Sequence, residues 1–374
     1  MESPRWNAFG IVYAAIIAFT VVLLVLSIPF GIYAVFFTHL STTYTYQNLI
    51  AYFPIYIGLV EFGLPLRPSF GVLFLSLTAL YAVFIVVAGL QAGGLRRAVN
   101  GAIEEGPGAL LRNPLSATTM ILGATLLATV VLDLFQTSVG VQTGGLSGDS
   151  FLLFLDLTIS PLIEEVGFRF FLIGVPLFVL LLATRPSARK LVKTLWRPSA
   201  AWEVEALPGA GQIRVPSDAL KNFAIFLVAV SSILFGLAHY LSGAGWDIGK
   251  VSEAALDGVA LGYLYVRYGL HASIIFHWAV DYATNAFAFY GQGVYGVPWT
   301  ANSLYSLVPT VDVLLLVGLP GLLFFINLAL KRVIRPRPDS STHSANASSL
   351  RCASCGAPTA PGETFCHNCG RQLP

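Results

Sequence analysis

Pro161-Leu162-Ile163-Glu164-Glu165-Val166-Gly167-Phe168-Arg169 places three charges inside an apolar run that extends over residues 151–183. About 20 apolar residues suffice to cross a bilayer as a helix, so the run reads as a membrane span. A charge at bilayer depth costs about 2.5–3.5 kcal/mol on insertion scales, and ionisable groups kept there mark function. Glu165 and Arg169 are four residues apart, share one helix face and can neutralise each other. Glu164 is turned by about a quarter of the helix circumference from Glu165. It therefore needs a partner from elsewhere in the chain.

The composition agrees with a membrane setting. Charged residues make up 11% of the 374 and hydrophobic residues 56%, with mean hydropathy +0.74, whereas soluble domains carry about 25% charged residues. The net charge of +2 is segregated along the chain and reports topology, not a nucleic-acid surface. The first apolar run continues to Phe37, well past the length of a signal-peptide core, and is read as a retained helix.

Runs long enough to span fall at roughly 8–37, 69–93, 115–136, 151–183, 223–241, 253–268, 271–290 and 308–330. The fold expected is all-α: a polytopic helical bundle of about eight transmembrane helices. A ninth stretch, 49–66, is broken by Pro54, Gly58, Glu61, Gly63 and Pro65 and reads as re-entrant or interfacial. With eight spans and both termini cytoplasmic, the inner segments hold nearly all the Lys and Arg, including Arg96, Arg97, Arg112, Arg189, Lys190, Lys331 and Arg332. The outer segments 137–150 and 291–307 hold none, the asymmetry that the positive-inside rule expects. Gly236 and Gly262 read as sites where helices approach closely. By domain, 1–337 is a multi-span membrane domain with a core at about 115–290, 338–350 a flexible linker, and 351–374 a small cysteine module.

Partners for Glu164 lie on two later spans. His239 ends the fifth, and His277 and Asp281 stand four apart on one face of the seventh. The fourth span runs inward and the fifth outward, so Glu164 and His239 reach similar depth. Convergent Glu and His side chains from facing helices are how bundles build metal sites. Glu164, His239 and His277 would suit zinc or a similar divalent ion that lowers the pKa of a bound water. A metal-free site works as well, with Glu164 and His239 activating the water and His277 stabilising an oxyanion. Taken alone, the charged triplet also fits a structural ion-pair network that fixes helix packing. His271 reads as interfacial, Phe235 as packing, and Glu253 and Asp257 as partners of Lys250.

Glu-Glu-x-x-x-Arg on one span, Phe-x-x-x-His on a later one and His-x-x-x-Asp on another resemble the CPBP family of intramembrane proteases. That family includes the type II CAAX prenyl endopeptidases and the bacteriocin-processing Abi proteins. The resemblance implies an endopeptidase that hydrolyses a peptide bond of a membrane-associated substrate, prenylated or not, by Glu-activated water. It implies Glu164 as general base, Glu165 and Arg169 as its support, His239 as the group that orients water or binds metal, and His277 with residue 281 completing the site. The prenyl proteases resemble one another in an oxyanion-stabilising Asn at this last position, where this chain has Asp281. A carboxylate there must be protonated, bind a metal or orient His277.

Cys352-x-x-Cys355 and Cys366-x-x-Cys369 form two knuckles, each followed by Gly, that resemble a short zinc ribbon holding a structural zinc on four thiolates. At a cytoplasmic end, disulfides are the weaker reading. So small a module draws its stability from the metal. The expected partners are membrane lipid, a peptide or protein substrate and a protein bound by the zinc ribbon, with no nucleic acid. Two other functions use the same features: a non-enzymatic membrane scaffold or receptor that binds through the ribbon, or a proton-coupled transporter with the carboxylates as relay.

Overall fold

The computed structural model describes residues 7–40, 45, 47, 53–182, 187–202, 216–298, 310–334, 350–351, 355, 358–359 and 371–372, with the backbone alone at 310–314, 331–334, 350–351 and 358–359. The chain divides into two compact units, 1–323 and 324–374.

The first unit is helical. It contains α1 (Ala8–Phe37), α2 (Phe70–Leu90), α3 (Leu95–Glu105), α4 (Pro114–Ser138), α5 (Ser150–Glu164), α6 (Val175–Leu182), α7 (Ala188–Trp196), α8 (Ser217–Leu241), α9 (Gly249–Tyr268), α10 (Leu270–Trp278) and α11 (Thr284–Tyr295). A last helix, α12 (Thr310–Ile334), crosses the boundary between the units. Among the described residues, five helical stretches are long and apolar enough to cross a membrane: Ala8–Phe37, Phe70–Gly93, Pro114–Ser138, Ser150–Leu182 and Ser217–Leu241. The protein is an integral membrane protein. The segments expected as sixth, seventh and eighth spans are helical too, but α9 carries Lys250, Glu253, Asp257 and Arg267, and α10 and α11 are short.

The stretch 49–66, expected as a broken re-entrant or interfacial segment within an all-α fold, departs from that expectation over its described part. Phe53–Ile57 (β1) pairs antiparallel with Val60–Leu64 (β2) across a two-residue turn at Gly58 and Leu59. Gly58 takes φ +58°, the left-handed conformation that such a tight hairpin turn uses. The aromatic and β-branched residues on both sides favour the pleated form. In the second unit a pair of two-residue strands, Leu350–Arg351 (β3) and Pro358–Thr359 (β4), is also antiparallel.

Two local features set the frame of the site. Asn113 caps α4, its Oδ1 accepting from the N–H groups of Leu115 and Ser116. Its Nδ2 donates to the carbonyls of Ala88, Gly89 and Gln91, satisfying orphan acceptors at the end of α2. The second feature is the α8–α9 contact. A Cβ on Gly236 would lie 2.2 Å from the Val251 carbonyl oxygen, and one on Gly262 2.7 Å from Val228. Both glycines are close-approach sites, as the sequence suggested, and Gly258 against Ser232 is a third. The near contact of these helices carries His239 on α8 toward the helices that bear the carboxylates.

Candidate functional site

α5 does not continue as a regular α-helix through its charges. From Glu165 to Gly174 it widens into a π-helical segment in which the Val175 N–H donates to the carbonyl of Phe170, five residues back. A second π segment, Ala279–Ala283, joins α10 to α11 and carries Asp281. Such bulges occur frequently at functional sites, because the extra residue per turn re-aims side chains. Both chain segments that contribute carboxylates to this site contain one.

Glu165 and Arg169 are fully buried and form the expected i, i+4 ion pair, Nε to Oε2 3.3 Å. Arg169 Nη1 also donates to Ser231 Oγ at 3.1 Å, and the Ser231 hydroxyl donates to the Phe168 carbonyl at 2.6 Å. The guanidinium lies 4.5 Å from the centre of the Phe235 ring, a cation–π contact. Glu165 does more than balance Arg169. Its Oε1 is 3.0 Å from His277 Nδ1, and its Oε2 accepts from the Ser273 hydroxyl. Ser231 and Ser273 were not among the residues singled out from the sequence, since a lone Ser in an apolar helix carries no signal of its partner.

His277 is thus the hub of the site. Its Nε2 lies 3.2 Å from Asp281 Oδ2 and 3.8 Å from Glu164 Oε2. Asp281 therefore faces the imidazole, the position from which a carboxylate can orient a histidine. Glu164, the residue in search of a partner, finds His277. Its side chain is 22% exposed, yet Oε2 is buried and accepts no hydrogen bond from any described residue. Buried polar atoms left unsatisfied are rare in native structures and call for an explanation such as a catalytic role.

His239 sits one side chain away. Phe235 stands between the two imidazoles, with ring centres 4.8 Å from His239 and 5.8 Å from His277. His239 Nδ1 is 2.9 Å from the Phe235 carbonyl oxygen. A carbonyl only accepts, so Nδ1 carries the hydrogen, and in the neutral ring Nε2 is left as an acceptor. Phe235 is packing, as expected, but packing that spaces three charged or polar groups. His271, expected at the interface, is instead fully buried, stacked on Trp196 with ring centres 5.4 Å apart and Nε2 3.1 Å from Gln91 Oε1. Its Nδ1 is buried with no hydrogen-bond partner among the described residues. Glu253 lies 3.9 Å from Lys250 and also accepts from Gln136 and Thr143, while Asp257 accepts from Thr129.

The set Glu164, His239 and His277 does not fit a divalent metal as it stands. Both nitrogens of His277 are directed at carboxylates, and among the described residues no group of three or more His, Cys, Asp or Glu is arranged to hold a metal ion. Of the four cysteines expected to form a zinc ribbon, Cys352, Cys366 and Cys369 lie outside the described residues, and Cys355 is exposed.

The hairpin completes the surroundings. β1 packs across α5 and the π segment. The Gly58 N–H donates to the Gly167 carbonyl at 3.4 Å, and a Cβ on Gly167 would lie 2.6 Å from the Tyr56 carbonyl oxygen. Gly167 is three residues beyond Glu164, so the hairpin rests about one turn from the free carboxylate.

Fold and site together define a class: helical integral membrane proteins with a carboxylate–histidine centre buried among their helices. Within this chain, residues 147–283 match the family model described as Rce1-like, "Type II CAAX prenyl endopeptidase Rce1-like". The matched stretch includes Glu164, Glu165, Arg169, His239, His277 and Asp281 and is similar to a protease family. No match is found among curated proteins or among solved structures.

Proposed function

We propose that this protein is an intramembrane endopeptidase that hydrolyses a peptide bond of a membrane-associated substrate, with water activated by Glu164. The observation that carries the reading is the free, buried Oε2 of Glu164 beside His277, on a stretch that matches a protease family. Glu164 takes a proton from water as the water attacks the peptide carbonyl, and His239 Nε2, an open acceptor, holds the water's second hydrogen. The Glu165–Arg169 pair fixes the helix and, with Asp281, fixes the plane of the His277 ring. Removal of the proton to Glu164 and its return to the leaving amine complete the cycle with no covalent intermediate.

The topology that goes with this reading has eight spans. The five long apolar helices are joined by α9, by α10 with α11, and by α12, with both termini cytoplasmic as the distribution of Lys and Arg supports. The spacing of Cys352, Cys355, Cys366 and Cys369 supports a structural zinc ribbon that binds a protein partner.

The test is direct. The full-length protein, reconstituted in liposomes, is given membrane-anchored peptides with and without a prenyl group. Cleavage of either supports the reading, and the comparison defines whether the lipid is needed. Failure to cleave any anchored peptide, with the protein folded, overturns it.

A further inference from the structure

Where α2 ends, the chain turns through Gly93 and Gly94, both at positive φ, into α3. α3 has 11 residues, too few to cross a bilayer. It buries Ala98, Gly101 and Ala102 and leaves Arg96, Arg97, Asn100, Glu104 and Glu105 exposed. Its buried face packs on the start of α1, where the Asn7 N–H donates to the Ile103 carbonyl at 3.0 Å. α3 therefore lies where the spans α1 and α2 both terminate, at the level of lipid headgroups.

Gly93, α3 and Arg112 enclose a groove of about 530 Å³, within the size range of small-ligand sites. Two of its lining residues are glycines that let guanidinium groups fold down over bare backbone. A Cβ on Gly93 would lie 2.8 Å from Arg97 Cδ and 3.2 Å from its Nη1, and one on Gly101 3.6 Å from Arg112 Nη1. Arg112 is committed, with both terminal nitrogens donating to the Glu105 carboxylate. Arg96 and Arg97 make no ion pair among the described residues. With Glu105 held by Arg112, Glu104 alone opposes these two charges within the groove.

An apolar track leads up to the groove. Val83, Val86 and Leu90 of α2 are each more than half exposed, share one helix face by their spacing and end three residues before Gly93. In a span, that face meets acyl chains. Phosphate is the anion that guanidinium forks grip with paired hydrogen bonds, and basic pockets beside membrane helices suit anionic headgroups.

We propose that this groove binds the phosphate of an anionic phospholipid whose acyl chains lie along Val83, Val86 and Leu90. Arg96 and Arg97 clasp the phosphate, and Asn100, one turn beyond Arg96, donates its amide to the headgroup. The site involves none of the residues around Glu164 and stands independently of the peptidase reading.

The test is binding of phosphatidylglycerol and phosphatidylcholine to the full-length protein in a neutral detergent, with bound lipids counted by native mass spectrometry. Phosphatidylglycerol should fill its first site at least about tenfold more tightly than phosphatidylcholine. Each basic residue at an anionic lipid surface contributes about fivefold in affinity, so Arg96→Gln combined with Arg97→Gln should weaken that site by about 25-fold. The unfolding temperature should not change, since both side chains are exposed. Arg189→Gln combined with Lys193→Gln, the same loss of charge on α7, should change the affinity by less than about twofold, and Glu104→Gln should tighten it. Equal affinity for the two lipids, a loss below about twofold in the Arg96 and Arg97 variant, or an equal loss in the α7 variant overturns the proposal. Displacement of phosphatidylglycerol by millimolar inorganic phosphate overturns it as well, by assigning the groove to a soluble anion. If the double arginine variant does not fold, an unchanged affinity in Glu104→Gln overturns it.

Discussion

His277 Nδ1 and Glu165 Oε1 are 3.0 Å apart, so the second carboxylate of the Glu164–Glu165 pair holds the histidine that the first one faces. Adjacent residues on one helix thus take different parts. Glu165 is fully saturated by Arg169, Ser273 and His277, while Glu164 keeps an oxygen with no partner among the described residues. Both side chains address the same imidazole at the point where the helix widens.

The Glu165–Arg169 pair is buried, and removing one partner of a buried pair leaves an uncompensated charge, at a cost of about 3–5 kcal/mol. Arg169→Ala should therefore lower the unfolding free energy in detergent by about that amount, measured by denaturant titration. A loss below about 1 kcal/mol would mean that Glu165 is neutralised by its other neighbours.

Asp281 Oδ2 lies 3.2 Å from His277 Nε2, and in the proposed mechanism it orients the ring. Asp281→Asn preserves an oxygen acceptor at that point and should retain cleavage within about tenfold, whereas Asp281→Ala should lose about a hundredfold, the scale of a lost outer-shell partner. The comparison of kcat for the two variants decides whether it is the acceptor or the charge that is used.

Much of this site is legible in the amino-acid sequence. The Glu165–Arg169 pair follows from helical spacing, the i, i+4 relation of His277 and Asp281 from the same rule, and the close-approach role of Gly236 and Gly262 from the absence of a side chain in an apolar helix. What stayed hidden depends on register between segments far apart in sequence. Ser273 lies 108 residues from Glu165 and Ser231 62 from Arg169, and a single hydroxyl gives no periodic signal. The π segments are not legible because nothing in the apolar pattern of residues 165–174 or 279–283 distinguishes a π turn from an α turn. In the stretch 49–66 the Pro and Gly residues break a helical pattern and suggest a re-entrant or interfacial segment, yet with Phe53, Ile55, Tyr56 and Ile57 they form strand, turn and strand.

Asn113 serves two helices at once. Asn113→Ala should cost more than a simple cap, which is worth about 1 kcal/mol, since three carbonyls at the end of α2 lose their donor together. Thermal unfolding in detergent should show a loss of about 2 kcal/mol or more. A loss confined to the cap value would indicate that water satisfies those carbonyls.

The α8–α9 contact should be intolerant of bulk. Gly236→Leu places a side chain where a Cβ alone would meet the Val251 carbonyl at 2.2 Å, and the shift moves His239 away from His277. Cleavage should fall by at least tenfold even in folded protein, because about 1 Å of misplacement costs on the order of 10²-fold. Unchanged turnover would show that His239 is not needed at its present position.

The central claim rests on Glu164. Turnover of an anchored peptide by the Glu164→Gln protein in liposomes tests it most directly, with unfolding temperature measured alongside. Loss of cleavage by at least about a thousandfold in a protein as stable as wild type is the predicted result. Cleavage by Glu164→Gln at a rate near wild type would contradict the account, since an amide cannot take the proton from water.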